Sequence, residues 1–124
     1  MGIKSRYLLK LHDLVQQQDL VELSAELSKD FKAICNTAFT QDPYSCFGLS
    51  SHDLRGDLKK YRALELDYEG ICYRIVYRVY ELPSPKRVQV ISFAEHDLAY
   101  ARAKLRTTSV LKSNIRDAVF RIKH

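Results

Sequence analysis

The spacing of apolar residues changes along the chain from a helical to an extended pattern. Apolar residues three and four apart predict a first helix around Ser5 to Gln17 and a second from about Asp19 to Phe39. Asp19 is a suitable N-cap for the second helix. Gln41-Asp42-Pro43 ends that helix, because proline cannot continue the hydrogen-bond ladder. The first third of the chain therefore predicts a helical hairpin.

Alternation with a period of two follows, and it is clearest between Gly70 and Tyr80. There β-branched and aromatic residues alternate with other residues, a pattern typical of a half-buried strand. Lys60 to Leu66 and Val88 to Phe93 predict further strands on either side. The link at Asp67–Gly70 has turn composition, and a short proline-containing loop follows the middle strand. Short links favour an antiparallel meander.

Two helices are predicted after the strands, from Asp97 to about Leu105 and from Ser109 to Ile122. The predicted fold class is therefore α+β: an N-terminal helical hairpin packed on a small antiparallel sheet of three to four strands, with C-terminal helices. The helices cover one face of the sheet and leave the other partly open. We expect one domain over residues 1–124, with a core at about 19–106 and a C-terminal helical extension at about 107–124.

The strand pattern places a carboxylate and a guanidinium on the open face. If Leu66 lies opposite Ile71, the apolar residues share the core face, and Glu65 and Arg74 become diagonal neighbours on the other. Such a pair is either a solvated cross-strand ion pair of little energetic value or part of an anion-binding concavity. Composition does not separate the two interpretations.

The chain is basic, with a formal net charge of +5. The region from Ala101 to His124 holds seven Lys and Arg residues against Asp117 alone. A basic surface suits nucleic acid or an acidic protein partner, and it is also what a solvated helix face provides.

Cysteine number and spacing bear on the compartment and on metal binding. The three cysteines, Cys35, Cys46 and Cys72, show no CxxC or Cys/His ligand spacing. This pattern favours a reducing cytoplasm and argues against a structural zinc site. No apolar run approaches the length of a membrane span, and no secretory signal is indicated. We expect a cytoplasmic protein with no metal and no small-molecule cofactor.

Several short motifs occur together between Ser51 and Arg106. Leu54-Arg-Gly56 precedes the strands, Tyr61-Arg62 begins the first and Tyr73-Arg-Ile-Val-Tyr77 forms the second. The third strand is followed by Ala94-Glu-His-Asp-Leu-Ala-Tyr100. In this order and spacing the motifs resemble the RelE/ParE superfamily of toxins from type II toxin–antitoxin modules. The site pattern is most similar to the YafQ and RelE types of mRNA interferase.

The resemblance implies a toxin that cuts mRNA at the ribosome and that binds an acidic antitoxin, which folds on binding. Members of the ParE branch inhibit DNA gyrase instead, and a non-catalytic binding module with the same fold is a third alternative. A shared fold does not choose among them. Two features depart from the family pattern: the predicted N-terminus is helical where the family begins with a strand, and Ala94-Glu95 replaces a glycine.

The resemblance also implies roles for individual residues. Metal-free RNA cleavage needs a base for the 2′-OH, a proton donor for the leaving 5′-oxygen and positive charge on the phosphorane. By resemblance, Arg74 contacts the phosphate, His96 is the general acid, Glu65 or His52 is the general base, and Tyr100 orients or stacks on a base. The residues expected to guide the RNA backbone are basic: Lys59, Lys60, Arg62, Arg78 and Arg102.

Overall fold

A computed structural model describes residues 6–107 of the chain. Within this range five strands form one mixed sheet with three helices, so the predicted α+β class is confirmed. The predicted helix from Ser109 to Ile122 lies outside the described residues. No helix among residues 6–107 combines the length and the apolar content needed to cross a membrane.

The strands are β1 (Leu8–Leu11), β2 (Ser51–Asp53), β3 (Arg62–Tyr68), β4 (Ile71–Tyr80) and β5 (Arg87–Glu95). Helix α1 covers residues 13–22, with a π-helical turn at Val15–Asp19 followed by α-helical Leu20–Glu22. Helix α2 covers residues 25–41, with α-helical Ala25–Ile34 and a π-helical turn at Cys35–Phe39. Helix α3 is described over residues 96–107, and short 3₁₀ turns lie at Cys46–Gly48 and Gly56–Leu58.

The sheet has the order β1-β5-β4-β3-β2, and β1 runs parallel to β5 while the other neighbours are antiparallel. The prediction of an antiparallel sheet of three to four strands is therefore wrong in two respects. The sheet has five strands, and the edge strand β1 is parallel to its neighbour. The predicted helix around Ser5 to Gln17 is wrong in its first part, because Leu8–Leu11 pairs with β5, whereas residues 13–17 belong to α1. Leu9 and Leu11 pack on the core from this strand, so the described chain begins with a strand and not with a helix.

The predicted continuous helix from Asp19 to Phe39 is broken between α1 and α2. Leu23 has extended backbone with ψ of 159°, and Ser24 then caps α2 by accepting a hydrogen bond from the Leu27 amide at 3.2 Å. Asp19 is not an N-cap. It is fully buried within α1, where it accepts hydrogen bonds from distant parts of the chain.

The β3–β4 hairpin turns in two residues, Glu69 and Gly70, which have φ of 50° and 78°. Positive φ at both positions is the geometry that matches the twist of a hairpin. Tyr68 therefore lies opposite Ile71, two residues from the predicted register. A shift of two keeps every side chain on its predicted face. It also places Glu65 directly opposite Arg74 instead of diagonally.

The two faces of the sheet are covered to different extents. The face that carries Ile75 and Tyr77, called the α2 face, packs against Leu27 and Phe31 of α2 in the larger core. The α3 face carries Arg74, Val76 and Arg78 of β4. Over its middle lies a smaller core made of Leu58, Val76, Ile91, Ala94, Ala99 and Ala103. The face expected to be open is therefore covered in the middle by α3 and remains accessible towards its ends.

Candidate functional site

Arg74 and Glu65 form an ion pair on the α3 face. The Nη2 atom of Arg74 donates to Oε1 of Glu65 at 2.9 Å, and Nη1 donates to the carbonyl of Tyr73 at 2.9 Å. The Arg74 side chain is 11% exposed and that of Glu65 is 36% exposed. The guanidinium is therefore held in one orientation by two oxygen atoms, while the carboxylate remains in contact with solvent.

Glu65 is held from its other side by the segment that leads into β2. The hydroxyl of Ser50 donates to Oε2 of Glu65 at 2.5 Å, and the amide of Glu65 donates to the Ser50 carbonyl at 2.8 Å. The Ser50 hydrogen bond, then the charge of Arg74, lower the pKa of Glu65 below its ordinary value, and His52 and His96 add to this effect. Glu65 is therefore ionised at neutral pH.

Loss of the Ser50 hydroxyl is expected to raise the pKa of Glu65, because that hydrogen bond is the largest cause of the lowered value. NMR titration of the Glu65 carboxyl carbon in Ser50→Ala measures the change. Since the folded-state pKa is lowered, ionised Glu65 stabilises the fold above its ordinary pKa, and this contribution is lost as pH falls through the lowered value. The exposed Ser45→Ala is the control, and an unchanged Glu65 pKa in Ser50→Ala would contradict the assignment.

His96 is the first residue of α3 and stands beside Tyr100, one turn further on. Its Nδ1 lies 2.8 Å from Oδ1 of Asp97, and its ring meets that of Tyr100 edge to face at a centroid distance of 4.9 Å. The His96 side chain is 49% exposed. Two neighbours therefore orient the imidazole, and Nε2 has no hydrogen-bond partner among residues 6–107.

A cleft of about 510 Å³ brings Arg74 and His96 together where β5 passes into α3. Its lining consists of Ile71, Cys72, Arg74, Glu95, His96, Asp97 and Leu98. Glu65 is not part of this lining and adjoins the cleft only through its ion pair with Arg74. The cleft thus combines a fixed cation and an imidazole, with the ionised Glu65 at its border and the acidic side chains of Glu95 and Asp97 in its lining. A cation, a carboxylate and an imidazole are groups suited to acid–base work on an anionic substrate.

His52 occupies β2, at the edge of the sheet. It pairs with Ala63 and is exposed on the α3 face, and its charge contributes to the lowered pKa of Glu65. The five predicted catalytic residues are therefore arranged as two contacting pairs, Arg74 with Glu65 and His96 with Tyr100, with His52 near Glu65.

The predicted backbone-guiding residues fall into two groups. Arg62 lies on the α2 face, where it is the cross-strand partner of Tyr77. Its side chain binds Asp53 at 2.5 Å and the Tyr44 carbonyl at 2.7 Å. Arg102 binds Asp19 and Glu22, each at 2.8 Å. Neither of these arginines lines the cleft. The second group, Lys59, Lys60 and Arg78, lies near the end of the α3 face far from Arg74, with both lysines exposed.

Ser50 and Asp97 contribute to the site but were not among the predicted site residues. Ser50 lies in a polar loop, and nothing local in the sequence indicates that this loop returns to Glu65. Asp97 is the first residue of the predicted helix from Asp97 to about Leu105, and its carboxylate contacts the His96 ring. The adjacency of His96 and Asp97 in the sequence is a signal that could have indicated this pair.

Comparison with known proteins shows which known fold the chain resembles. No protein-family model matches the chain, and no curated protein matches it. A solved structure described as a YoeB/ParE toxin from Agrobacterium tumefaciens is similar to it, with a TM-score of 0.58 and 23% sequence identity. The chain has the fold of a YoeB/ParE toxin. The match covers 98% of that toxin and 72% of this chain, so nearly the whole toxin chain has a counterpart here.

Proposed function

We propose that the protein is the toxin of a type II toxin–antitoxin module and that it acts on mRNA at the ribosome as a metal-independent endoribonuclease. One observation carries the proposal: Arg74 is fixed between the Glu65 carboxylate and a cleft that also contains His96. The fold shared with a YoeB/ParE toxin supports the toxin class. The choice of nuclease over gyrase inhibitor rests on the cleft.

Arg74 is suited to hold the scissile phosphate. Its guanidinium is fixed in position by Tyr73 and Glu65, so little reorganisation is needed when negative charge develops on the phosphorane. A preorganised donor of this kind contributes about 10²–10³-fold in rate. Its planar fork of donors also matches two phosphate oxygens at once.

Glu65 is our assignment for the general base, because it is ionised and contacts the phosphate-binding arginine directly. Its lowered pKa makes it a weaker base than an ordinary carboxylate, which is the argument for His52 as the alternative. Glu65→Gln and His52→Ala separate the two, because only the variant that lacks the base loses the cleavage step.

His96 is assigned as the general acid. With Nδ1 bound to Asp97, the Nε2 atom can carry the proton that the leaving oxygen needs. The base takes the 2′-OH proton, the 2′-oxygen forms a bond to phosphorus, and the bond from phosphorus to the 5′-oxygen breaks as His96 protonates that oxygen. The products are a 2′,3′-cyclic phosphate and a 5′-OH end. We assign Tyr100 the stacking role on a neighbouring base, and its contact with His96 supports this.

His96→Ala is expected to slow RNA cleavage by about 10²–10⁴-fold, the usual contribution of a positioned acid or base. Single-turnover cleavage of an RNA substrate by ribosome-bound protein measures this loss, and growth arrest on expression should be relieved in parallel. His12→Ala, a histidine outside the cleft, is the control and should retain both activities. Full toxicity of His96→Ala would refute the role of His96. Full toxicity with a DNA-damage response would favour gyrase inhibition.

A toxin of this class needs a cognate antitoxin. We propose an acidic partner with a segment that folds on binding and covers the basic α3 face. A small acidic protein encoded beside this one, able to relieve growth arrest when co-expressed, would support the proposal.

A further inference from the structure

Two arginines surround one tyrosine at the end of the α3 face that lies far from Arg74. The Cζ atoms of Arg78 and Arg87 lie 4.4 Å and 4.3 Å from the centroid of the Tyr80 ring. Tyr80 and Arg87 are direct cross-strand partners, and Arg78 also lies 5.7 Å from the ring of Tyr61. These cation–π contacts restrict both guanidinium groups. We call Tyr61, Arg78, Tyr80 and Arg87 the arginine–tyrosine patch.

Among residues 6–107, no carboxylate neutralises the positive charge of the patch. Neither Arg78 nor Arg87 forms an ion pair with a carboxylate of residues 6–107, whereas Arg62 and Arg74 on the same sheet both do. Arg87 donates instead to the carbonyl of Pro83 at 3.1 Å. Two like charges held around one ring repel each other, so an anion that contacts both at the edge of the ring is favoured.

The surroundings of the patch add further positive charge. Lys59 and Lys60 are exposed and immediately precede Tyr61. The acidic residue next to the patch along the chain is Glu81, and its carboxylate is bound by Tyr7 and Lys86. All four side chains of the patch are half-buried, so their outer surfaces remain accessible. Arginines interleaved with aromatic rings are the combination that binds single-stranded nucleic acid, through phosphate contacts and stacking.

We propose that the arginine–tyrosine patch binds the backbone of single-stranded RNA outside the cleft, an inference that rests on the proposed function for the identity of its ligand. Arg74 and Arg78 lie on one face of β4, four residues and therefore about 13 Å apart at ~3.3 Å per residue. The small core around Val76 separates the patch from the cleft. The patch thus raises the affinity for the substrate and takes no part in the bond-breaking step.

The test uses the full chain and a fluorescein-labelled single-stranded 15-nucleotide RNA of mixed sequence as the probe. All proteins carry His96→Ala so that the probe stays intact, and fluorescence anisotropy gives affinity at several salt concentrations. Arg78→Gln/Arg87→Gln removes the two charges. Lys29→Gln/Lys32→Gln, on the exposed side of α2, makes the same change in net charge and is the matched control.

The patch variant is expected to bind about 25-fold more weakly at 0.1 M monovalent salt, with a log–log salt slope smaller by about 1.4, because each phosphate contact to a single strand contributes about 0.7 to that slope. The control should change by less than about twofold, since it lies away from the bound strand. Equal losses in the two variants would overturn the proposal. So would tight binding of an acidic peptide by a protein that does not bind the RNA probe.

Tyr80 variants test the stacked geometry while both charges are kept. Tyr80→Phe preserves the ring and should bind as the parent does, whereas Tyr80→Leu should lose part of the affinity. Equal binding by both would overturn the role of the stack, and this comparison stands even if the double arginine variant fails to fold.

Cleavage assays distinguish failure of the patch from failure of the proposed function. In the protein with His96 intact, loss of both arginines should raise KM and leave kcat unchanged. If the protein cleaves RNA and loss of the arginines changes neither KM nor RNA affinity, the patch is refuted and the proposed function stands. If the patch binds RNA but the protein cleaves none, the nuclease proposal fails and the patch stands.

Discussion

Arg74→Gln is expected to reduce RNA cleavage by about 10²–10³-fold without unfolding the protein. Glutamine keeps much of the side-chain volume but removes the charge that stabilises the phosphorane. The fold is expected to persist, because the partner left behind, Glu65, is 36% exposed and keeps its hydrogen bond from Ser50. The loss should therefore appear in the chemical step.

Single-turnover cleavage, with thermal unfolding as a check on folding, measures the effect of Arg74→Gln. Arg74→Lys is the informative companion, because lysine restores a point charge but not the two-pronged donor, so an intermediate rate is expected. Lys29→Gln supplies a matched loss of one positive charge outside the cleft and should cleave normally. Cleavage by Arg74→Gln at the rate of the unmodified protein would remove Arg74 from the mechanism.

Asp19→Ala is expected to lower the free energy of unfolding by about 3–5 kcal/mol, the usual cost of breaking a buried ion pair from one side. Asp19 is fully buried and accepts hydrogen bonds from the Phe93 amide at 2.8 Å and from Arg106 at 2.7 Å. Arg102 is a third partner and donates to Asp19 at 2.8 Å. Without Asp19, the guanidinium of Arg106, which is 3% exposed, loses its carboxylate partner.

Urea unfolding compares Asp19→Ala with Glu22→Gln. Glu22 also binds Arg102, but its side chain is 46% exposed, so its loss should cost less than about 1 kcal/mol. A smaller loss for Asp19→Ala than for Glu22→Gln would contradict the account. Because Arg102 and Arg106 belong to α3, which begins at His96, the same variant should also weaken the positioning of His96.

Alternation along β4 was enough to predict which side chains share a face, and it placed Glu65 and Arg74 together. The register was wrong by two residues, because the turn uses Glu69 and Gly70 alone. The error left the faces unchanged since strand side chains repeat every two residues. Local pattern therefore predicted the central ion pair, although turn geometry decided how closely the two residues approach.

The N-terminal errors arose because short patterns fit more than one structure. The leucines of β1 fit a helical spacing as well as an extended one. They form a strand because they pair with β5, some 80 residues later in the chain. Asp19 resembles an N-cap in its local sequence. Its actual partners, Arg102 and Arg106, lie 83 and 87 residues away and are invisible to any local pattern.

Among the candidate site residues, the family pattern pointed to His96 and Tyr100, and the structure places them in contact. The ion pairs of Arg62 and Arg102 with carboxylates could not be predicted, because an arginine looks the same in a sequence whether or not a carboxylate neutralises it. For the same reason the sequence does not set Arg78 and Arg87 apart from the other arginines, since only the structure shows that neither pairs with a carboxylate of residues 6–107.

The central claim is that the cleft around Arg74 cuts mRNA. Primer extension on messages from cells expressing either the unmodified protein or Arg74→Gln tests it most directly. We expect new ends within messages, together with arrested translation, for the unmodified protein and none for Arg74→Gln. Intact messages accompanied by DNA damage, with equal toxicity of the two proteins, would contradict the claim.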